Sequence, residues 1–283
     1  MRIKSKHLTL VSTCLLIGTA PVYSADAAAF DMGMELTAGT DYMDYGVTNS
    51  DHKPSFSLKL SPSYGIFYGE FYIANINYGT DVPKFETRWS VGATPSFGKL
   101  AIDFNLARKV KIEDPSSAHW LPYVTGTYSF NDNLSASLGA GYYLYDHDYD
   151  FGELYAASTY TFENGAYVTG EATWEPSSDA IGNDYYEFVG TVSAPIAEKF
   201  EAIGKIGYEG YQDKGGLTGL QSYTWYEARV NYNFNEHLVL GVGYHGSTLS
   251  DAAGCGNQAY TDCEGRFFAK LTLKANWSDL FKQ

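Results

Sequence analysis

The chain has 283 residues, with 33 acidic against 19 basic side chains, a net charge of −14 and an aromatic content of 16%. The acidic balance argues against nucleic acid as a partner, because phosphate recognition needs basic surface patches. A helical membrane protein is excluded as well, since no segment carries the run of about 18 apolar residues that a membrane helix requires.

The first residues have the organisation of a secretory signal peptide. Arg2, Lys4 and Lys6 form a basic start, and residues 8 to 20 form an apolar core that is too short to span a bilayer. Small side chains predict cleavage after Ser24, or alternatively after Ala27. We therefore expect residues 1–24 to be removed, which makes the mature chain three charges more negative because no acidic residue is lost.

From Asp31 onward, apolar residues occur at every second position in segments of about ten residues, the period of a strand with one face in lipid. The clearest segment runs from Leu134 to Leu144, where leucine, alanine and tyrosine alternate mainly with serine and glycine. Tyrosine and tryptophan favour membrane interfaces, so the high aromatic content predicts two girdles around a barrel.

The connections between these segments alternate between short turns and longer polar stretches. Short turns are predicted at 65–66, 95–99, 131–133, 163–165, 195–199 and 235–237, and longer loops at 46–53, 77–84, 111–118, 146–151, 176–184, 212–221 and 249–264. Six turns and seven loops join fourteen strands, whereas a soluble β-sandwich would not segregate its connection lengths so regularly.

The sequence thus predicts an all-β fold: a single antiparallel transmembrane β-barrel of about 14 strands, with 12 as the alternative. The barrel should span residues 31–277, followed by a short tail at 278–283. Short turns are assigned to the periplasm and longer loops to the outside, which puts both termini in the periplasm. The first and sixth strands have the weakest strand pattern. The sixth contains Pro122, which has no backbone N–H to donate to a sheet.

Residues opposite the lipid face of each strand should point inward, and many of them are charged. The pore-lining candidates are Glu35, Lys59, Glu70, Glu86, Arg88, Asp103, Glu171, Glu227, Arg229, Arg266, Lys270 and Lys274. Segregated charges on opposite walls would select solutes by charge and size. The alternative is salt bridging among the lumenal side chains that only rigidifies the wall.

Two further groups of residues suggest local chemistry. Cys255 and Cys263 lie in a polar run of an exported chain, and their spacing predicts a disulfide that closes a small loop. The acidic stretch at 146–150 has oxygen and imidazole ligands for a divalent cation, but it lacks the glycine and distal glutamate of an EF-hand loop. We interpret it as a solvated loop and predict no metal site.

The segment from Asp41 to Pro54 resembles the opening hairpin of the TorF family of putative porins. The matching positions are Asp41, Tyr42, Gly46, Ser50, Asp51, Lys53 and Pro54, and Tyr64-Gly65 with Tyr68-Gly69 continue the resemblance. Tyr45 stands where the family usually has arginine, so this position carries no charge here. The resemblance implies an outer-membrane β-barrel with a transport role, and it names no solute.

These patterns together favour a bacterial outer-membrane porin for small hydrophilic solutes or ions. We expect outer-membrane lipid and the barrel-assembly machinery as partners, and no cofactor. The alternatives are a non-conducting structural or adhesion barrel and an outer-membrane hydrolase. No enzymatic activity is predicted, because the sequence lacks Gly-x-Ser-x-Gly, a zinc-binding His-x-x-x-His and a phosphate loop.

Overall fold

The structure is a computed structural model that describes residues 30–76, 84–112, 114–146, 150–176, 183–213, 221–249 and 264–280. Three of its strands have only two residues: β2 (Met43–Asp44), β3 (Val47–Thr48) and β7 (Ser96–Phe97). The long strands are β1 (Phe30–Gly39), β4 (Ser55–Tyr64), β5 (Phe67–Ile76), β6 (Lys84–Ala93), β8 (Leu100–Lys111), β9 (Asp114–Ser129), β10 (Leu134–Tyr145), β11 (Phe151–Thr161), β12 (Tyr167–Glu175), β13 (Asn183–Ala197), β14 (Phe200–Asp213), β15 (Tyr223–Asn233), β16 (Leu238–Ser247) and β17 (Arg266–Asn276).

The fourteen long strands close into one antiparallel barrel. Each pairs with its neighbours in chain order. Because β1 pairs with both β4 and β17, the first and last strands of the chain close the barrel. Glu35 of β1, for example, lies opposite Lys59 on one side and opposite Lys274 on the other. The predicted fold class and the count of fourteen strands are confirmed, and the alternative of twelve is not needed.

Alternation gives each strand an outer and an inner face. On β10 the outward Leu138 is 71% exposed, whereas Ser137 beside it is buried. Small inward residues leave room for larger neighbours: a Cβ at Gly141 would lie 2.2 Å from the ring of Tyr123, so only glycine fits there. The serine and glycine positions that mark this strand in the sequence therefore face a packed interior.

Aromatic rings cluster near both ends of the barrel wall. Beside the short turns, Tyr128 packs edge-on against Phe130 with ring centroids 5.0 Å apart, and similar pairs lie at Tyr160–Phe162 and Tyr232–Phe234. Toward the opposite end, Trp89 packs against Trp120, over which the Arg108 guanidinium lies at 5.2 Å. Such belts are typical of the two interfaces of a bilayer, where the ring contacts acyl chains and a polar group beside it contacts the headgroups.

Proline affects the ladders less than the sequence suggests. Pro122 lies in the middle of β9, opposite Leu106 of β8, and this strand has 16 residues although the sequence predicts it to be weak. The price is a gap in the ladder with β10, whose pairing is missing at Leu121 and Pro122 because proline has no N–H to donate.

Three predicted boundaries are corrected. The loop expected at 111–118 is much shorter, because β8 extends to Lys111 and β9 begins at Asp114. Pro195, expected in a turn, belongs to β13, where the register shifts between Pro195 and Ala197. Trp277 was predicted as the last strand residue but begins the helical turn α1 (Trp277–Leu280). No helix among the described residues is long and apolar enough to cross a membrane.

Candidate functional site

The barrel lumen is the candidate site, because the predicted pore-lining side chains alternate with the outward apolar ones. Glu35, Lys59, Glu70, Glu86, Arg88, Asp103, Glu171, Glu227, Arg229, Lys270 and Lys274 all lie in the phase of the inner face. Arg266 shares that phase but is the first residue of β17 and is exposed. The lumenal wall is therefore charged on most of its strands.

Most of these charges on β5, β6, β8 and β15 are already paired within the wall. Arg88 donates to Glu70 at 2.7 Å, and Lys109 lies 3.1 Å from Glu86. Arg229 pairs with Glu227 two residues earlier on the same strand at 2.7 Å. These pairs join neighbouring strands or residues of one strand, and they match the alternative interpretation, in which lumenal salt bridges only stiffen the wall.

Neutral donors satisfy two further predicted acids. Asp103 accepts hydrogen bonds from the Tyr68 hydroxyl at 2.9 Å and from the Thr94 hydroxyl at 2.7 Å. Glu171 accepts from the Tyr155 hydroxyl at 2.8 Å. Tyrosine is therefore a structural element of this lumen as well as of the lipid interface.

The largest departure from the sequence prediction is the first connection, residues 40–54. The sequence predicts an external loop at 46–53 within it, but the connection forms the hairpin β2–β3, and Tyr45, Val47, Thr48 and Ser50 are all buried. We call residues 41–52 the lumenal hairpin. It packs against the inner wall, and the space available to a solute is smaller than the strand count alone implies.

Asp41 fixes the internal shape of the lumenal hairpin. One of its oxygens accepts from the hydroxyls of Thr48 and Ser50, both at 2.6 Å, and the other lies 2.7 Å from Nδ1 of His52. The Ser50 hydroxyl donates to this aspartate, not to the imidazole, so the Ser–His–Asp trio lacks the serine-to-histidine bond that activates a nucleophile. This arrangement offers no support for the hydrolase alternative.

Apolar contacts hold the hairpin to the wall. Tyr45 and Val47 pack with Val189, Tyr223 and Trp225, and Tyr45 meets Trp225 edge-on with ring centroids 5.8 Å apart. At the turn, Gly46 has φ +72°, and a Cβ there would lie 2.6 Å from Trp225. Glycine is required both by the backbone conformation and by the approach to the wall.

Asp44 brings a carboxyl group between opposite parts of the barrel wall. It interacts electrostatically with Lys109 and Arg88 of one wall segment and with Lys205 of another, and Glu86 repels it. Burial is the largest influence and raises the pKa of Asp44 to about 7, although the three basic groups oppose that rise. Near neutral pH this carboxyl is therefore poised between its neutral and charged forms.

Sequence reasoning missed part of the lumen. Glu153 and Glu175 are not among the predicted pore-lining residues, although both lie in the inward phase of their strands. In the structure they join Glu187 and Glu209 in a buried group on β11 to β14. The alternation of β11 alone, with Leu154 outward, would have identified Glu153.

Other predictions fall beyond the described part of the chain. The cysteines Cys255 and Cys263 lie outside the described residues, as do residues 147–149 of the acidic loop and the whole signal peptide. Within the described ranges, Asp146 pairs with Arg108, and Asp150 accepts from the Tyr145 amide. No group of three or more histidine, cysteine or carboxylate side chains there could hold a metal ion.

No protein-family model matches the chain, and a search of curated proteins gave no match. Among solved structures, a loop-L8 deletion mutant of OmpT, an outer membrane protein of Vibrio cholerae, is 10% identical with a TM-score of 0.53, over 88% of this chain and 100% of that one. CdiB from Acinetobacter baumannii is 7% identical with a TM-score of 0.53, over 87% and 60%. An anion-selective porin from Comamonas acidovorans is 13% identical with a TM-score of 0.49, over 88% and 98%. The chain thus has the fold of the outer-membrane β-barrels.

Proposed function

We propose that the protein is an outer-membrane channel for the passive diffusion of small hydrophilic solutes or ions. The observation that carries this proposal is the presence of charged side chains on the inner face of most strands of a closed barrel of fourteen strands. An eight-stranded barrel is filled by its own side chains, whereas barrels of sixteen or more strands hold water. Fourteen strands with an inserted hairpin correspond to a narrow passage.

The outer face supports the membrane location. Large apolar residues such as Phe56, Phe188 and Phe267 are more than half exposed, which would be unfavourable in water and is favourable in lipid. The predicted signal peptide and the resemblance to TorF-family porins point in the same direction.

The lumenal hairpin supports a size-selective passage. Its Tyr45 and Val47 occupy space beside the wall, and its Asp44 projects charge toward Lys109 and Lys205. A solute therefore has to pass a constriction that combines bulk with charge.

A second candidate is a non-conducting barrel that serves adhesion or envelope structure. The specific observation in its favour is dense packing of inner side chains, since Tyr143 and Ile76 are completely buried. Conduction in the wild-type protein distinguishes the two candidates.

The test is swelling of proteoliposomes that contain the refolded protein, in isotonic solutions of sugars of increasing size. We expect swelling with small sugars and a sharp size limit. A variant in which residues 41–52 are replaced by a short Gly-Ser linker should admit larger sugars. Absence of swelling in both proteins, with folded barrels verified by circular dichroism, would favour the structural barrel.

A further inference from the structure

Lysine dominates one side of the lumen. Strands β16, β17, β1 and β4 follow one another in the closed ring, and we call their inner faces the basic arc. β4, β16 and β17 contain no aspartate or glutamate, and the arc presents Lys59, Lys270 and Lys274. The acids of β1 are Asp31 near its start and Glu35, which lies opposite both Lys59 and Lys274 in the register. Three lysines therefore share Glu35 across the middle of this wall.

The ammonium groups of the arc are not used in ion pairs. Among the described residues, none of the three lysines has a carboxylate within salt-bridge distance. Arg229 and Lys205 repel the ammonium group of Lys270. Glu227 and Glu35 attract it, but Glu227 is already paired with Arg229 at 2.7 Å. The protein's own acids therefore compensate the positive charge of the arc only in part.

The basic arc also borders the open part of the lumen. Its lysines stand among short inward side chains, such as Thr37, Ser57 and Ser61, and no residue of β1 or β4 is buried. On β13, by contrast, every inward residue from Tyr185 to Ser193 is buried. The lumenal hairpin fills further space beside β13 and β15. A solute in the lumen is therefore closest to the strands that carry the lysines.

The positions of the lysines suit a solute with more than one negative group. Lys59 and Lys274 flank β1, so their Cα atoms lie about 10 Å apart, twice the spacing of neighbouring strands. Lys270 and Lys274 are four residues apart on β17, which corresponds to about 13 Å. Lysine has a long flexible stem, and its ammonium group forms charge-assisted hydrogen bonds with carboxylate and phosphate oxygens. Two of these groups can thus contact one solute together.

We propose that the basic arc binds small organic anions that carry two or more carboxylate or phosphate groups, and that such anions are preferred solutes of the channel. The role in permeation rests on the proposed function, while the binding does not. Lys59 and Lys270 are half-buried and Lys274 is exposed, so the lumen gives access to all three. An anion there replaces the carboxylates that the arc lacks.

Equilibrium dialysis of radiolabelled citrate against the refolded protein in detergent measures this binding directly. The wild type should bind citrate, and the affinity should fall as NaCl screens the lysines. Lys270→Gln/Lys274→Gln should bind citrate about tenfold more weakly or less, because two of the three ammonium groups are removed. Unchanged binding in this variant would place citrate elsewhere and overturn the proposal. Lys59→Gln, a single change on β4, should weaken binding about threefold and repeats the test if the double variant does not refold.

Lys99→Gln/Lys199→Gln is the matched control. It removes the same charge from two exposed residues in short turns, away from the basic arc. We expect it to bind citrate as the wild type does. An equal loss of affinity in both double variants would mean that net charge alone attracts citrate, which would overturn the proposal.

Current recording in planar bilayers separates the site from the channel. Citrate added to one side should reduce the KCl current through the wild type and the turn variant, and should reduce it much less in Lys270→Gln/Lys274→Gln. Citrate binding without conduction would retain the anion site and refute the channel. Conduction with neither citrate binding nor citrate block would refute the site and retain the channel.

Discussion

Replacing Asp41 with alanine should release the lumenal hairpin from its fixed shape. The Asp41 carboxylate makes three short contacts, to Thr48, Ser50 and His52, at 2.6 to 2.7 Å. Hydrogen bonds to a charged group contribute about 1.5–3 kcal/mol each, so their joint loss should cost about 4 kcal/mol after allowance for non-additivity. That energy corresponds to roughly a thousandfold shift in a two-state equilibrium.

Single-channel recording measures the consequence. The Asp41→Ala channel should show a larger mean conductance and greater open-channel noise than the wild type, because a disordered hairpin obstructs the lumen less uniformly. Asp51→Asn is the control, since Asp51 forms a more exposed ion pair with Lys53 at 3.1 Å that should contribute about 1 kcal/mol or less. If Asp41→Ala kept the wild-type conductance and noise, the hairpin could not be the constriction.

Three further predictions concern the hairpin and the wall. Gly46→Val should displace the hairpin, because its Cβ would lie 2.6 Å from Trp225 at a φ of +72°; we expect a larger conductance, and an unchanged channel would contradict the packing. Conductance should rise with pH across neutrality. Burial raises the pKa of Asp44 to about 7, so the protonated carboxyl stabilises the inserted hairpin at acidic pH. This stability is lost as the pH rises through that value. Asp44→Asn should flatten this profile, and an unaltered profile would assign it to another group. Arg88→Met should leave Glu70 without its partner and lower the free energy of unfolding in urea by about 1–2 kcal/mol. Adding Glu70→Gln should restore most of that loss. No rescue would mean that Arg88 acts through other contacts.

The barrel itself could be predicted because its determinants are local. Alternation in 134–144 assigns the outward and inward faces of β10 without knowledge of any neighbour, and polar turns such as 163–165 mark where strands reverse. The sheet must close because an open edge would leave unpaired backbone groups in lipid, and an even number of antiparallel strands allows that closure. Boundaries were less accurate where a strand continues into polar sequence, as β8 does up to Lys111.

The lumenal hairpin could not be predicted, because its position depends on distant residues. Asp41, Gly46 and Ser50 are typical of a solvated turn, and the wall residues that Gly46 approaches, Trp225 and Gly246, lie far along the chain. The pairing of inward glutamates on neighbouring strands could not be predicted either. Glu187 and Glu209 could each be identified as inward residues, but their opposition across β13 and β14 depends on the register of the ladder.

Single-channel conductance of the refolded full-length protein in planar lipid bilayers tests the central claim most directly. We predict discrete, reproducible current steps that increase in size when residues 41–52 are replaced by a short linker. A folded barrel that inserts into the bilayer and carries no current, with or without the lumenal hairpin, would contradict the channel and leave a structural role.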